Sequence, residues 1–343
     1  MSLPTDTEQL AFIGHVQRLL EEGQFTATYK YALLMALVDI AVERGSDDGN
    51  ELQIPLLVIA DKFAEYYWGH TRPFAGKGVL RQNTGTNIAV LSILGPIQMR
   101  YPSLSESRRQ PEWQGVLRAM ARLVKEMPLL KLQRLRSGGL LEFLYDNEVK
   151  DGAITLRPGV AFCLRRCAAL IRALARQGWL AAIRANSGNA YLVADGTNLE
   201  EFLFGADRVP LVWVREVLDP IQSGTCFYCG SPMRDAVHVD HFVPFSLYPV
   251  NLAHNLVLAH AGCNGDKLSL LADLPHLDLW LARNDRHGVA IGDALAERGI
   301  LSDQDATLGI ARWAYHRAQE QRALLWVRRR ETRAFPADVV LSF

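Results

Sequence analysis

The sequence has no surplus charge of either sign: Lys plus Arg and Asp plus Glu each number 37, for a formal net charge of +0. No global field therefore draws the chain to a polyanion, and any nucleic-acid contact has to come from local patches. No apolar run approaches the ~20 residues needed to cross a bilayer, so no membrane partner is expected. The N-terminus, MSLPTDTEQL, has neither a basic n-region nor an apolar h-region, and a secretory leader is not expected either. Cysteine is scarce, at five residues, and three of the five fall in one short stretch. That usage fits a reducing cytoplasm and a metal site better than a disulfide framework. Heptads, internal repeats and low-complexity tracts are missing. Gly76-Lys77-Gly78 lacks the spacing of a phosphate-binding loop, which excludes a P-loop ATPase.

What is present is a chain of 343 residues, 49% apolar, with material for the cores of two or three domains. Its pattern predicts a mainly α fold with small β elements (α+β). Residues 1–150 read as a helical N-terminal domain with a recognition or regulatory task. Phe12, Val16, Leu19 and Leu20 recur at helical spacing, and a nearly all-round apolar run through Leu33, Leu34, Leu37 and Val38 predicts a buried central helix. The segment YYWGHTRPFAGKG interleaves Tyr66, Tyr67, Trp68 and His70 with Arg72 and Lys77. Such a mixture can stack bases and bind phosphates, or simply be a helix end packing its aromatics inside. LLKLQRL and LLEFLYD, split by Ser137-Gly138-Gly139, predict a hairpin.

Residues 151–205 are expected to form a DNA-binding element. From Leu156 to Ala194 there are six arginines and no acidic residue. On a helix starting near Gly159, Cys163, Cys167, Leu170, Ile171 and Leu174 share an apolar face, which makes the two cysteines inert core thiols. Arg165, Arg172 and Arg176 fall on the opposite face, where they could track a phosphate backbone. Trp179–Ile183 and Tyr191–Val193 around Ser187-Gly188-Asn189 look like two short strands, so helix plus hairpin gives the outline of a winged helix.

Residues 206–343 carry the chemistry. Cys226 and Cys229 form a C-x-x-C knuckle, and His260 and Cys263 form an H-x-x-C knuckle further on. Four such ligands complete a closed tetrahedral Zn²⁺ shell with no open position, a structural staple. Between and after the knuckles lie Asp240-His241, Pro244, Asn255, Asn264 and Lys267. Over Cys226 to Lys267 the sequence resembles the HNH endonucleases (His-Me finger, ββα-metal fold), whose pattern runs C-x-x-C, D-H-x-x-P, N-L, C-x-x-C-N-x-x-K. It departs from that pattern only where His260 replaces a Cys. The resemblance implies a ββα-metal module with flanking helices and assigns Asn255 to orienting the catalytic His through a hydrogen bond. His238 and His254 fall on no motif position and are read as bystanders, and RRRETR (328–333) as a small basic tail.

Phosphodiester hydrolysis needs an activated water and a ligand for developing negative charge. A neutral His241 can be the general base. Asp240 and Asn264 offer the hard oxygens that suit Mg²⁺ or Mn²⁺. Lys267, three residues after Asn264, could add a cation at the phosphate. The expectation is therefore a cytoplasmic, metal-dependent endonuclease acting on double-stranded DNA, in restriction or antiphage defence, with a homodimer where both strands are cut. The alternatives left open are an RNA-cleaving HNH nuclease and a zinc-stapled nucleic-acid-binding module without catalysis. A zinc deaminase is excluded, because it needs H-x-E ahead of P-C-x-x-C.

Overall fold

A computed structural model describes residues 2–85, 88–194, 197–205, 210–234, 237–341 and 343. The protein is mainly α-helical with small β elements. It divides into two compact units, Met1–Gly205 and Ala206–Phe343. Among the described residues no helix is long and apolar enough to cross a membrane.

The first unit is built on its second helix. After α1 (Asp6–Glu22), which opens on a Thr5/Glu8 capping box, α2 (Tyr29–Arg44) is buried along almost its whole length. A helix apolar on most faces needs neighbours on most faces. They are α3 (Leu56–Trp68), α7 (Val160–Arg166) and α8 (Ala168–Ala185). Helices α4 (Ala89–Arg100), α5 (Leu104–Arg108) and α6 (Trp113–Glu126) extend the layer beyond α3. Short helices α9 (Ala190–Val193) and α10 (Leu199–Phe204) close the unit. Strand β1 (Leu52–Pro55) pairs antiparallel with β2 (Ala153–Leu156), Leu52 opposite Leu156. That ladder joins residues on either side of position 150, so 1–150 and 151–205 are one folded body, not two.

Two further expectations are corrected here, and one open alternative is decided. The hairpin around Ser137–Gly139 reduces to a turn with a single Arg134–Leu140 bridge, because a side chain takes the ladder bonds. Buried Gln133 accepts from the Phe143 and Leu144 amides and donates to the Tyr145 carbonyl, each at 2.9 Å. The winged-helix outline is absent. Trp179–Ile183 is the last part of α8, where Ile171, Ala175, Trp179 and Ile183 are buried at four-residue intervals, and Ser187–Asn189 is a 3₁₀ turn leading into α9. The aromatics of YYWGHTRPFAGKG face inward: Tyr67 is bonded to Thr28 and His70 to the Leu203 carbonyl, both fully buried.

The arginines expected to face DNA do not. The helix breaks at Cys167, and Arg165, 1% exposed, turns back onto the C-terminus of α2. Its Nη1 donates to the carbonyls of Ala41, Val42 and Gly45 at 2.9–3.0 Å, while Nε and Nη2 hold Asp47. These are the orphan carbonyls every helix end leaves, satisfied by a planar donor fork. Arg172, 7% exposed, bonds Asp39 at 2.5 Å, and Asp39 also accepts from Tyr66 at 2.6 Å. Half-buried Arg176 lies 5.1 Å from the Phe204 ring centre. An acid-free stretch is thus matched by acids elsewhere in the fold. Cys163 is buried and burial raises its thiol to about 11, as befits an inert core residue, whereas Leu170 is 46% exposed.

In the second unit, α11 (Leu211–Ile221) leads into the Cys226 knuckle. Strands β3 (Val237–His241) and β4 (Leu256–His260) pair antiparallel, Asp240 opposite Val257, and α12 (Ala261–Lys267) follows directly. The order is ββα. Strand β5 (Leu271–Ala272), the long α13 (Leu274–Ala296) and α14 (Gln304–Glu320) come next, then β6 (Leu324–Arg328) and β7 (Glu331–Ala334). The RRRETR segment is therefore the turn of a β-hairpin, not a tail. The core is a stack of Phe242 on Trp280, centroids 4.9 Å apart, with Tyr315 beyond. His254 is buried and bonded to the Gly288 carbonyl, a core residue.

Removing the Arg172 guanidinium leaves Asp39 charged and buried. Arg172→Leu is expected to lower stability by about 3–5 kcal/mol, measured by urea denaturation, with no change in nucleic-acid affinity of the folded protein. A loss of affinity at unchanged stability would restore the DNA-facing reading.

Candidate metal centre and adjoining polar site

The knuckle Cys226-Phe227-Tyr228-Cys229 is shaped by Gly230, whose φ of +67° suits glycine and whose amide closes the turn on the Cys226 carbonyl at 2.9 Å. His260 ends β4 and Cys263 lies in the first turn of α12. The ligand atoms of Cys226, Cys229, His260 and Cys263 all fall within 4.8 Å of one another. Cys229 Sγ and His260 Nδ1 are 3.3 Å apart. An edge of roughly 3.5 Å is what a zinc-sized tetrahedron demands with Zn–S and Zn–N bonds near 2.3 and 2.0 Å. The other imidazole nitrogen, Nε2, lies 3.2 Å from the Pro232 carbonyl, which can only accept. Nε2 therefore carries the proton and Nδ1 presents its lone pair to the thiols, the outer-sphere arrangement usual for a ligating histidine. Burial and the neighbouring thiols push the Cys263 thiol up to about 12. Three thiolates this close are held together only by a cation. The cluster can hold a metal ion.

The knuckle does a second thing. Tyr228, inside it, donates to Asp240 Oδ2 at 2.5 Å. Lys267, fully buried on α12, meets the same oxygen at 3.0 Å and also donates to the His241 carbonyl at 3.1 Å. Both contacts fall on Oδ2 of a residue that is 8% exposed, and among the described residues Oδ1 has no hydrogen-bond partner. Burial pulls the Lys267 pKa down, and Asp240 opposes that. Lys267 is thus no surface cation for a phosphate: its ammonium is used inside, fixing the β3 carboxylate.

His241 occupies the next position on β3, so the strand's alternation sends it to the other side. Its Nε2 lies 2.8 Å from Asn251 Oδ1, an acceptor, so Nε2 carries the proton and Nδ1 is the basic nitrogen. The Phe245 ring is 5.2 Å away. Burial holds the imidazole below its ordinary 6.5, against the Asn251 bond, so it is neutral near pH 7. The orienting residue is Asn251, not Asn255. Asn255 closes on the chain just after His241: its side chain accepts from the Val243 amide at 2.8 Å and donates to the Val243 carbonyl at 2.9 Å. Asn264, half-buried on α12, has its amide 3.5 Å from Nδ1 of exposed His238. His238 shares the β3 face of Asp240, two residues away.

Sequence reading missed Tyr228, Asn251 and His238. Tyr228 was hidden in plain view between two ligands. The two others fall on no spacing rule; only the pairing of β3 with its neighbours brings them in.

A family model described as "Domain of unknown function (DUF8808)" matches residues 7–201. The match spans more than half of the chain, and the chain belongs to that family. No curated protein and no solved structure matches it. The metal cluster and the β3–β4–α12 site lie outside the matched residues.

Metal analysis of the purified chain is expected to give an equimolar bound metal ion that Cys263→Ser loses. Full retention by that variant would contradict the four-residue cluster.

Proposed function

We propose that this chain is an HNH endonuclease that hydrolyses phosphodiester bonds in DNA. Zn²⁺ is the ion assigned to Cys226, Cys229, His260 and Cys263, since three thiolates and one imidazole in a closed tetrahedron are donors it prefers. The single observation that carries the reading is the adjacency of Asp240 and His241 at the end of β3 in a ββα unit, one a fixed carboxylate and the other a neutral imidazole with a lone pair on Nδ1.

In this reading His241 Nδ1 takes the proton of the attacking water, and Asn251 keeps the ring in the tautomer that can do so. Asp240 Oδ1 and the Asn264 amide oxygen offer the hard donors for Mg²⁺ or Mn²⁺. That ion, when bound, supplies Lewis acidity to the scissile phosphate and the leaving 3′ oxygen. Lys267 and Tyr228 keep Asp240 aimed, and Asn255 holds the loop that follows His241. The first unit, with its own core and no part in this chemistry, would select or gate the target, in restriction or antiphage defence. One observation favours a second reading, a zinc-stapled nucleic-acid-binding module without turnover: Asp240 already has two internal partners on Oδ2.

Incubation with supercoiled plasmid and Mg²⁺ or Mn²⁺ separates the two. Wild type is expected to nick or linearise it, and His241→Ala to lose about 10²-fold or more. Equal activity of both proteins, or none from wild type, would falsify the nuclease reading. The pH profile is a second check. A base with a depressed pKa is active when unprotonated, so the rate rises with pH along a limb centred below 6.5 and is level above it. A limb centred above neutrality contradicts His241 as the base. Asn251→Ala is expected to slow the reaction and move that limb to still lower pH, because the lost bond favoured the protonated ring.

A further inference from the structure

The β6–β7 hairpin carries four arginines in six residues, and the structure sorts them into two kinds. Arg328 is paired with Glu331 across the strands, and Arg333 with Asp273 at 2.6 Å. Arg329 and Arg330, the two residues of the turn, are exposed, and among the described residues neither guanidinium makes a hydrogen bond or ion pair. Arg330 stands at φ +62°, where a turn would favour Gly or Asn.

The turn is fastened to α12. Asp266 Oδ2 accepts from the buried Trp326 indole and from the Arg330 amide, both at 2.8 Å. The Arg329 guanidinium lies across the first turn of α12, so close over Gly262 that a Cβ there would meet its Cζ at 3.3 Å. Around Gly265 the surface is open, and nothing would touch a Cβ. The backbone of the tip is thus fixed to the helix that bears Asn264, with two exposed cations on it and open surface at Gly265. The acids facing it are Asp266, which accepts the two bonds above from neutral donors and is drawn to both guanidiniums, and Glu331, matched by Arg328.

We propose that Arg329 and Arg330 bind the phosphate backbone of the DNA strand beside the cleavage site. The assignment rests on the nuclease reading of β3 and α12. Arg329 lies over Gly262 on the short helix that also carries Asn264, so a strand held at the tip passes the same helix as the proposed cleavage site. In a chain of zero net charge, this local pair supplies attraction that the whole molecule does not.

The test uses full-length, metal-loaded protein carrying His241→Ala, so that binding is read without cleavage. Anisotropy of a labelled duplex is followed between roughly 50 and 200 mM salt. Adding Arg329→Gln and Arg330→Gln is expected to weaken binding most at low salt and to reduce the slope of log affinity against log salt by about 2, one per phosphate contact. Arg328→Gln, whose charge is already matched, is expected to leave the slope unchanged, and metal content should be equal in all variants. An unchanged slope in the double variant, or an equal loss from Arg328→Gln, overturns the proposal. Plasmid cleavage by wild type is scored separately, so a failed clamp and a failed nuclease give different results; no duplex binding by the parent sinks both.

Discussion

The second unit depends on one buried ion pair. Lys267 has no exposed surface, and taking an ammonium and a carboxylate out of water is costly unless both are fully engaged. Here the ammonium has two acceptors, Asp240 and the His241 carbonyl, and the carboxylate takes both of its bonds, from Lys267 and Tyr228, on one oxygen. Because Tyr228 belongs to the metal knuckle, Lys267 to α12 and Asp240 to β3, the pair ties three segments together at the point where chemistry is proposed. The metal cluster ties the knuckle and α12 to the end of β4, the strand paired with β3. An interior charge used this way is poor evidence of added stability but fixes one arrangement against its neighbours.

The first unit follows a different use of the same physics. Glu43, Lys62, Glu65, Asp61 and Arg108 form a chain of contacts between α2, α3 and α5, with Lys62 2.6 Å from Glu43 and Arg108 bidentate on Asp61. Arg165–Asp47 and Arg172–Asp39 continue it on the other side of α2. A central helix with Asp39 and Glu43 in its buried face needs cations from its neighbours: Arg172 of the acid-free segment serves Asp39, and Lys62 of α3 serves Glu43. Arg165 and Arg172 are explained by the carboxylates they meet.

That is also why they were misread. Periodicity places residues on a common helix face, but which face meets solvent is a tertiary fact, and a polar stripe looks the same whether it meets water or a buried carboxylate. The supposed wing failed for a related reason: Trp179–Ile183 is short and apolar, and strand and helix cannot be told apart over so few residues. Gln133 shows a third limit, a side chain standing in for backbone in a ladder. By contrast the four-residue cluster was legible, because ligand spacing is a local property, and the ββα order was implied by the resemblance that the neighbouring motifs carry. The α2 core was legible too, being apolar all round. Lys267 was found in the right place with the wrong task, since spacing cannot report burial.

The pairing of β3 with β4 is anchored at both ends. Val237 stands opposite the ligand His260, and next to the His241–Leu256 pair the Asn255 side chain grips the Val243 backbone. A strand that slipped by one residue would exchange its two faces, turning the imidazole inward and the carboxylate outward. Two adjacent groups of opposite orientation are only as reliable as the frame in which the strand is read, and here that frame is pinned by sulfur and imidazole at one end and by an amide at the other.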